Sequence, residues 1–149
     1  MRVPVPWVFV LGYLLGVAIQ SGRRIDLHLH PSPNATLIEG TTVFALGLAI
    51  AAWGWLTFRA ARTTTVPGKA SSELVTWGPY RFTRNPMYVG LSVAYVGETL
   101  ILRQVWPLLL LPLVVAYVNW IVIPVEQRKL TEVFGERYIR YCGQVRRWL

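Results

Sequence analysis

The chain has 149 residues, 54% hydrophobic and only 15% charged. Soluble domains carry about 25% charged residues, so the length admits one domain while the composition excludes an ordinary soluble one. The net charge of +8 suits either a nucleic acid or the anionic cytosolic face of a membrane. The apolar runs decide for the membrane, and no nucleic-acid partner is expected. Cys142 is the single cysteine, which excludes an internal disulfide or a multi-cysteine metal site. The first apolar stretch has only Arg2 before it and no cleavage site for a signal peptide.

In chain order, the pattern predicts an all-α polytopic membrane bundle of four spans, or five if the fourth divides. The first runs from about Pro4 to Gln20, with Gly12 and Gly16 one turn apart, a spacing that suits close helix contact. The second runs from about Leu37 to Phe58. Gly40, Gly47 and Gly54 recur every seven residues there, so they share one face and read as a seam for a neighbouring helix. Between these spans, His28 and His30 alternate with Asp26 as metal ligands can. A loop pair of this kind is ordinarily solvated, and no metal is expected. The third span, from about Tyr88 to Leu102, is short against the usual ~20 residues. It carries Glu98, a carboxylate that within a membrane is either functional or able to reach water or Arg103. The fourth runs from about Val105 to Ile123. Pro112 inside it should kink or break the helix, and Asn119 offers an amide for a bond to a neighbouring helix. Amphipathic C-terminal helices follow.

Basic residues fix the topology. With four spans, the N-terminus, the loop 59–87 and the tail share one side and hold twelve of the basic residues, against Arg23, Arg24 and Arg103 on the other. Both termini are therefore predicted to face the cytosol. Trp7, Trp106 and Trp120 fall near span ends, as interface anchors do.

Two cytosolic stretches carry the chemistry. The first is "GPYRFTRNPMYVG", Gly78 to Gly90. Gly78-Pro79 makes a turn, and Asn85-Pro86 disfavours helix before the proline and starts one after it. Tyr80, Arg84 and Tyr88 then surround the mouth of a helix whose first N–H groups are unpaired and partly positive. With Arg81 and Arg84 nearby, such an end suits a carboxylate or phosphate; it also suits a plain interfacial cap held by lipid phosphates. The second is the tail "PVEQRKLTEVFGERYIRYCGQVRRWL". Leu130 and Phe134 share a helix face, Phe134-Gly135 interrupts, and Tyr138, Tyr141, Val145 and Trp148 resume a stripe. The tail reads as an amphipathic helix pair, lying on the membrane or packed over the loop.

Taken together, "GPYRFTRNPMY" and the later Glu126, Leu130, Phe134-Gly135, Tyr138 and Tyr141 resemble the isoprenylcysteine carboxyl methyltransferase family and its phospholipid methyltransferase relatives. The resemblance covers about residues 60–149. Residues 63–81 look like bacterial members, and 13 Arg against 2 Lys suggests a GC-rich genome, so a bacterial inner membrane is expected. Two positions depart from the family pattern. Asn85 stands where the family often has His, and Gln127 stands where it often has the second Glu of a pair.

The resemblance implies one methyltransferase domain over 1–149, with 1–58 as two packing spans and 59–149 as a core binding S-adenosylmethionine without a Rossmann fold. None of the twelve glycines forms G-x-G-x-x-G. It implies Arg84 and Glu126 as catalytic residues. For cofactor binding it implies Gly78, Tyr80, Arg84, Asn85, Pro86, Tyr88, Gly90, Glu126, Tyr138 and Tyr141. Arg84 and the helix start suit the cofactor's carboxylate, Glu126 its ammonium or a ribose hydroxyl, and the tyrosines its adenine or sulfonium. The acceptor is a lipophilic or small carboxylate, amine or thiol, reached from the bilayer. Alternatives are a nicotinamide-dependent membrane reductase and a non-catalytic membrane scaffold.

Overall fold

A computed structural model describes residues 6–27, 33–61 and 73–149. Arg2, the pair His28 and His30, and the loop residues Arg62 and Lys69 lie outside the described residues. The described chain is helical: α1 (Pro6–Gly22), α2 (Pro33–Ala60), a 3₁₀ turn (Gly78–Arg81), α3 (Pro86–Ile101), α4 (Val105–Tyr117), a π turn (Val118–Val122), α5 (Ile123–Phe134) and α6 (Glu136–Gln144). An isolated antiparallel bridge joins Asp26 to Gln104.

The glycines set how the rods pack. A Cβ built on Gly40 would lie 2.8 Å from the Ile101 nitrogen, one on Gly54 would lie 2.9 Å from Met87 Cγ, and one on Gly47 would run into the Ala94 backbone. From the far end of α3 to its start, these contacts run antiparallel along α2. The expected seven-residue seam is therefore the α2–α3 interface, and Gly90 and Gly97 answer it from α3. Gly12 meets Val114 and Gly16 meets Pro107, so α1 runs antiparallel to α4 in the same way. At one end of the bundle, Leu27 N–H donates to the Arg103 carbonyl at 2.9 Å, and Trp106 Nε1 donates to the Arg23 carbonyl at 2.7 Å. The 73–88 segment and the tail gather at the other end. Between the rods, Phe9, Tyr13, Tyr88, Tyr95, Val114, Val118 and Ile123 form the core.

The expected count of four or five membrane spans is corrected here. Among the described residues two helices are long and apolar enough to cross a bilayer, Asn34–Ala60 and the 30-residue Val105–Phe134. In each, only 17% of the most apolar window is buried, unlike the core helix of a soluble protein. The rest presents side chains such as Leu46, Trp53, Leu56, Leu109, Leu113 and Trp120 outward, an apolar belt far larger than a soluble surface tolerates. At 17 and 16 residues, α1 and α3 span only about 25 Å at 1.5 Å per residue, less than the ~30 Å hydrocarbon core.

The fourth rod departs from expectation in a second way. Pro112 lies inside α4 and does not end it; α4, the π turn and α5 run on without a hairpin to Phe134, so no fifth segment arises there. The register changes instead at Val118–Val122. Pro124 follows directly, and in an unbroken α-helix its ring would meet the Trp120 carbonyl four residues back. A widened turn relieves that clash. The tail is accordingly not a separate helix pair: α5 continues the fourth rod, and only α6 is detached, after Gly135 at φ 51°.

Candidate active site

At the end of the bundle that carries the tail, the two chemistry-bearing stretches meet. Gly78, at φ 62°, makes the turn that starts the 3₁₀ segment, and its Cα packs near the Thr57 side chain of α2. A left-handed position of this kind costs glycine nothing. Tyr80 is thereby driven inward, buried with its ring edge-on to Phe58 at 4.9 Å. Pro86 opens α3 and is fully buried, which projects Tyr88 from the first turn toward α5.

There the Tyr88 hydroxyl donates to Glu126 Oε1 at 2.7 Å. The Glu126 carboxylate also acts electrostatically on the Tyr80 hydroxyl. From α6, Tyr141 donates its hydroxyl to the Tyr80 carbonyl at 2.7 Å. Arg84 Nη1 donates to the Cys142 sulfur at 2.7 Å, and Tyr138 sits beside both Cys142 and Arg84. Burial pushes the Tyr80, Tyr138 and Tyr141 hydroxyls above the usual tyrosine range. Each therefore stays neutral at physiological pH and adds no charge to the site. Among the described residues, three side-chain atoms around the junction are buried without a partner: Tyr80 Oη, Arg84 Nε and Gln127 Nε2. Buried polar atoms are nearly always bonded, so this is unused hydrogen-bonding capacity gathered in one place.

Tyr80, Arg84, Tyr88, Glu126, Tyr138 and Tyr141 are thus brought together. Gly90 is not: it faces α2, where a Cβ would meet the Ala51 nitrogen and the Gly47 carbonyl, so its smallness serves helix packing. Asn85 is engaged elsewhere too, its amide donating to the Arg147 carbonyl at 2.8 Å. Glu98 lies toward the opposite end of α3, within electrostatic reach of Tyr13 and Tyr95.

Sequence reasoning missed the last residues of the chain. Arg84 N–H donates to the Arg146 carbonyl at 3.0 Å, and Thr83 Oγ1 to the Arg147 carbonyl at 3.0 Å. The Arg147 guanidinium reaches Asn119 Oδ1 at 3.3 Å and Gln127 Oε1 at 3.1 Å, while Trp148 Nε1 donates to Asn119 Oδ1 at 3.0 Å. Asn119 therefore bonds the C-terminal segment, not the neighbouring helix expected of it. Its place in the π turn, which no periodicity announces, is what turns the amide that way.

The profile of the phospholipid methyltransferase family matches residues 35–137, which contain the glycine seam, the 78–90 loop, Glu126 and the start of α6. The chain belongs to that family, which also takes in the isoprenylcysteine carboxyl methyltransferase-like proteins. It is thereby placed among membrane-associated methyltransferases acting on lipid-related substrates. No curated protein and no solved structure matches the chain.

Proposed function

We propose that the protein transfers a methyl group from S-adenosylmethionine to a lipophilic or small acceptor at the cytosolic face of a bacterial inner membrane. The observation that carries the reading is the junction itself: a guanidinium, a carboxylate and four tyrosines meet there, with Tyr80 Oη and Arg84 Nε buried and unbonded. The cofactor is a carboxylate, an ammonium, an adenine and a sulfonium in one molecule, and these residues fit that set. Arg84 would hold the carboxylate. Glu126 would hold the ammonium or a ribose hydroxyl. The tyrosine faces would take adenine or the sulfonium through cation–π attraction. Residues 59–149 form the core that does this, with α1 and α2 as its packing support.

When bound, the cofactor supplies an electrophilic methyl on a cationic sulfur that is already a good leaving group. The protein is left with alignment and exclusion of water, which can contribute as much as about 7–11 kcal/mol in ideal geometries. The Tyr88 hydroxyl fixes one oxygen of Glu126, which leaves the other free to orient the cofactor. Tyr141 ties α6 over Tyr80, which closes the junction toward solvent. No protein nucleophile is needed, and Cys142 serves as an acceptor for Arg84.

The two long rods, α2 and the one formed by α4 and α5, cross the bilayer in this reading, and the short α1 and α3 pack against them. The twelve-to-three distribution of basic residues supports a cytosolic position for the junction. Titration calorimetry of the purified protein is the test. S-adenosylmethionine is expected to bind and NADPH is not; binding of NADPH alone would return the reductase reading, and binding of neither would favour the scaffold.

A further inference from the structure

A cavity of about 290 Å³ opens beside the junction, between the segment 73–77 and α6, lined by Leu74, Thr76, Arg137, Arg140, Tyr141 and Gln144. Arg137, Arg140, Tyr141 and Gln144 stand at intervals that place them on one helix face. Both arginines are exposed, and neither has a carboxylate partner among the described residues. Two like charges one turn apart repel, so this face favours an anion between them.

The lining decides which anion. Among the described residues the lining holds two guanidiniums, a threonine hydroxyl and a glutamine amide, and no carboxylate. S-adenosylmethionine carries an ammonium as well as a carboxylate, and the carboxylate assigned to that ammonium is Glu126, at the junction and not in this lining. A phosphate fits: guanidinium forks match its oxygens, and hydroxyl and amide donors complete the set. Trp77, adjacent in sequence to Thr76 of the lining, and Phe82 are exposed, aromatic anchors of the kind found at a membrane interface. A free phosphate would have no use for them.

We propose that this cavity holds the phosphate headgroup of an anionic phospholipid of the surrounding leaflet, as a bound lipid distinct from the methyl acceptor. Tyr141 lines the cavity, and its hydroxyl bonds the Tyr80 carbonyl. The headgroup is therefore one side chain from the junction, and its binding holds α6 in place over it. Only this last consequence rests on the proposed methyl transfer; the lipid site stands without it.

The full-length protein in nanodiscs of equal phosphatidylcholine and phosphatidylglycerol, released for native mass spectrometry, tests the site. Wild type is expected to retain a phosphatidylglycerol in preference to phosphatidylcholine. Arg137→Gln/Arg140→Gln is expected to lower that retention at least tenfold, while Arg59→Gln/Arg128→Gln, which removes equal charge from the same end, leaves it. Equal retention of the two lipids by wild type overturns the proposal, as does unchanged retention by the Arg137/Arg140 variant or equal loss in the control. Displacement of the lipid by millimolar inorganic phosphate alone would make the site one for small anions and overturn the lipid assignment. Circular dichroism verifies that each variant is folded. Calorimetry with S-adenosylmethionine on the same wild-type samples keeps the two readings apart, since absence of cofactor binding would sink methyl transfer and leave lipid retention intact.

Discussion

The α2–α3 seam and the junction of the 78–88 loop with the tail are built on opposite rules. Along the seam, backbone meets backbone: Gly40 against Ile101, Gly47 against Ala94, Gly90 against Ala51. Its specificity is steric. At the junction, side chains meet side chains across 38 to 58 residues of sequence, and three polar atoms stay unsatisfied. Shape holds the first region and leaves it inert. Polar bonding holds the second and leaves capacity for a ligand.

Breaking the seam has the largest expected effect. In Gly47→Leu the new side chain must enter the Ala94 backbone, which cannot swing aside as a side-chain tip would. Overpacking in a rigid core costs about 1–3 kcal/mol and sometimes more, and this site belongs at or beyond the upper end. Thermal unfolding in detergent should show a large loss of stability or no folded protein. A variant that unfolds like wild type would mean that α2 and α3 do not pack through this face.

Breaking the junction should leave the fold and remove the ligand. On the proposed reading, Arg84→Ala and Glu126→Ala each delete one partner of a charge-assisted bond to the cofactor, worth about 1.5–3 kcal/mol. Calorimetry should show S-adenosylmethionine bound roughly tenfold more weakly or worse in each, with helical content unchanged. Unaltered affinity in both variants would withdraw the polar contacts assigned here.

An intermediate effect is expected at the C-terminal segment. Arg147→Met removes the guanidinium that Asn119 and Gln127 share but keeps an apolar stem. The loss, about 1–3 kcal/mol, should be local: the backbone amide of Arg84, bonded to the Arg146 carbonyl, should exchange faster, with weaker cofactor binding alongside. If only the global unfolding temperature falls and the Arg84 amide stays protected, the segment is ordinary packing and does not position the loop.

The two regions were not equally legible in the sequence. The seam was, because a seven-residue glycine repeat on an apolar helix has few uses other than close packing. Loop and tail were legible as chemistry, since Gly78-Pro79 and Asn85-Pro86 carry local rules and Tyr138 and Tyr141 fall on one stripe, while Glu126 stood out through the family resemblance alone. That the two stretches meet followed from putting both at one end of the bundle. The π turn escaped, because Pro124 and not Pro112 controls the fourth rod, and hydropathy does not tell which of two prolines lies where a helix can adjust. The use of Gly90 escaped because it sits in the polar motif by sequence and on the seam by position in the helix. The role of Arg147 escaped because a terminal arginine reads as one more cytosolic charge until Asn119 turns toward it.

The smallest expected effect sharpens the comparison from the side of α6. Gly143 lies within that helix with nothing within 4 Å of where a Cβ would stand, so here glycine answers to no packing demand. Alanine there should stabilise the helix by about 0.5–1 kcal/mol at most, and less in practice, because Gly143 lies in the final turn, where helices fray. Slower exchange of α6 amides, with a small rise in unfolding temperature, is the expected outcome. Cofactor affinity should not change, since the junction uses the face carrying Tyr138, Tyr141 and Cys142. A loss of cofactor affinity in Gly143→Ala without loss of stability would mean that something closes on this open face when the ligand binds. The rule separating the two regions would then fail at α6, where a glycine would have to be kept small for a ligand and not for a neighbouring helix.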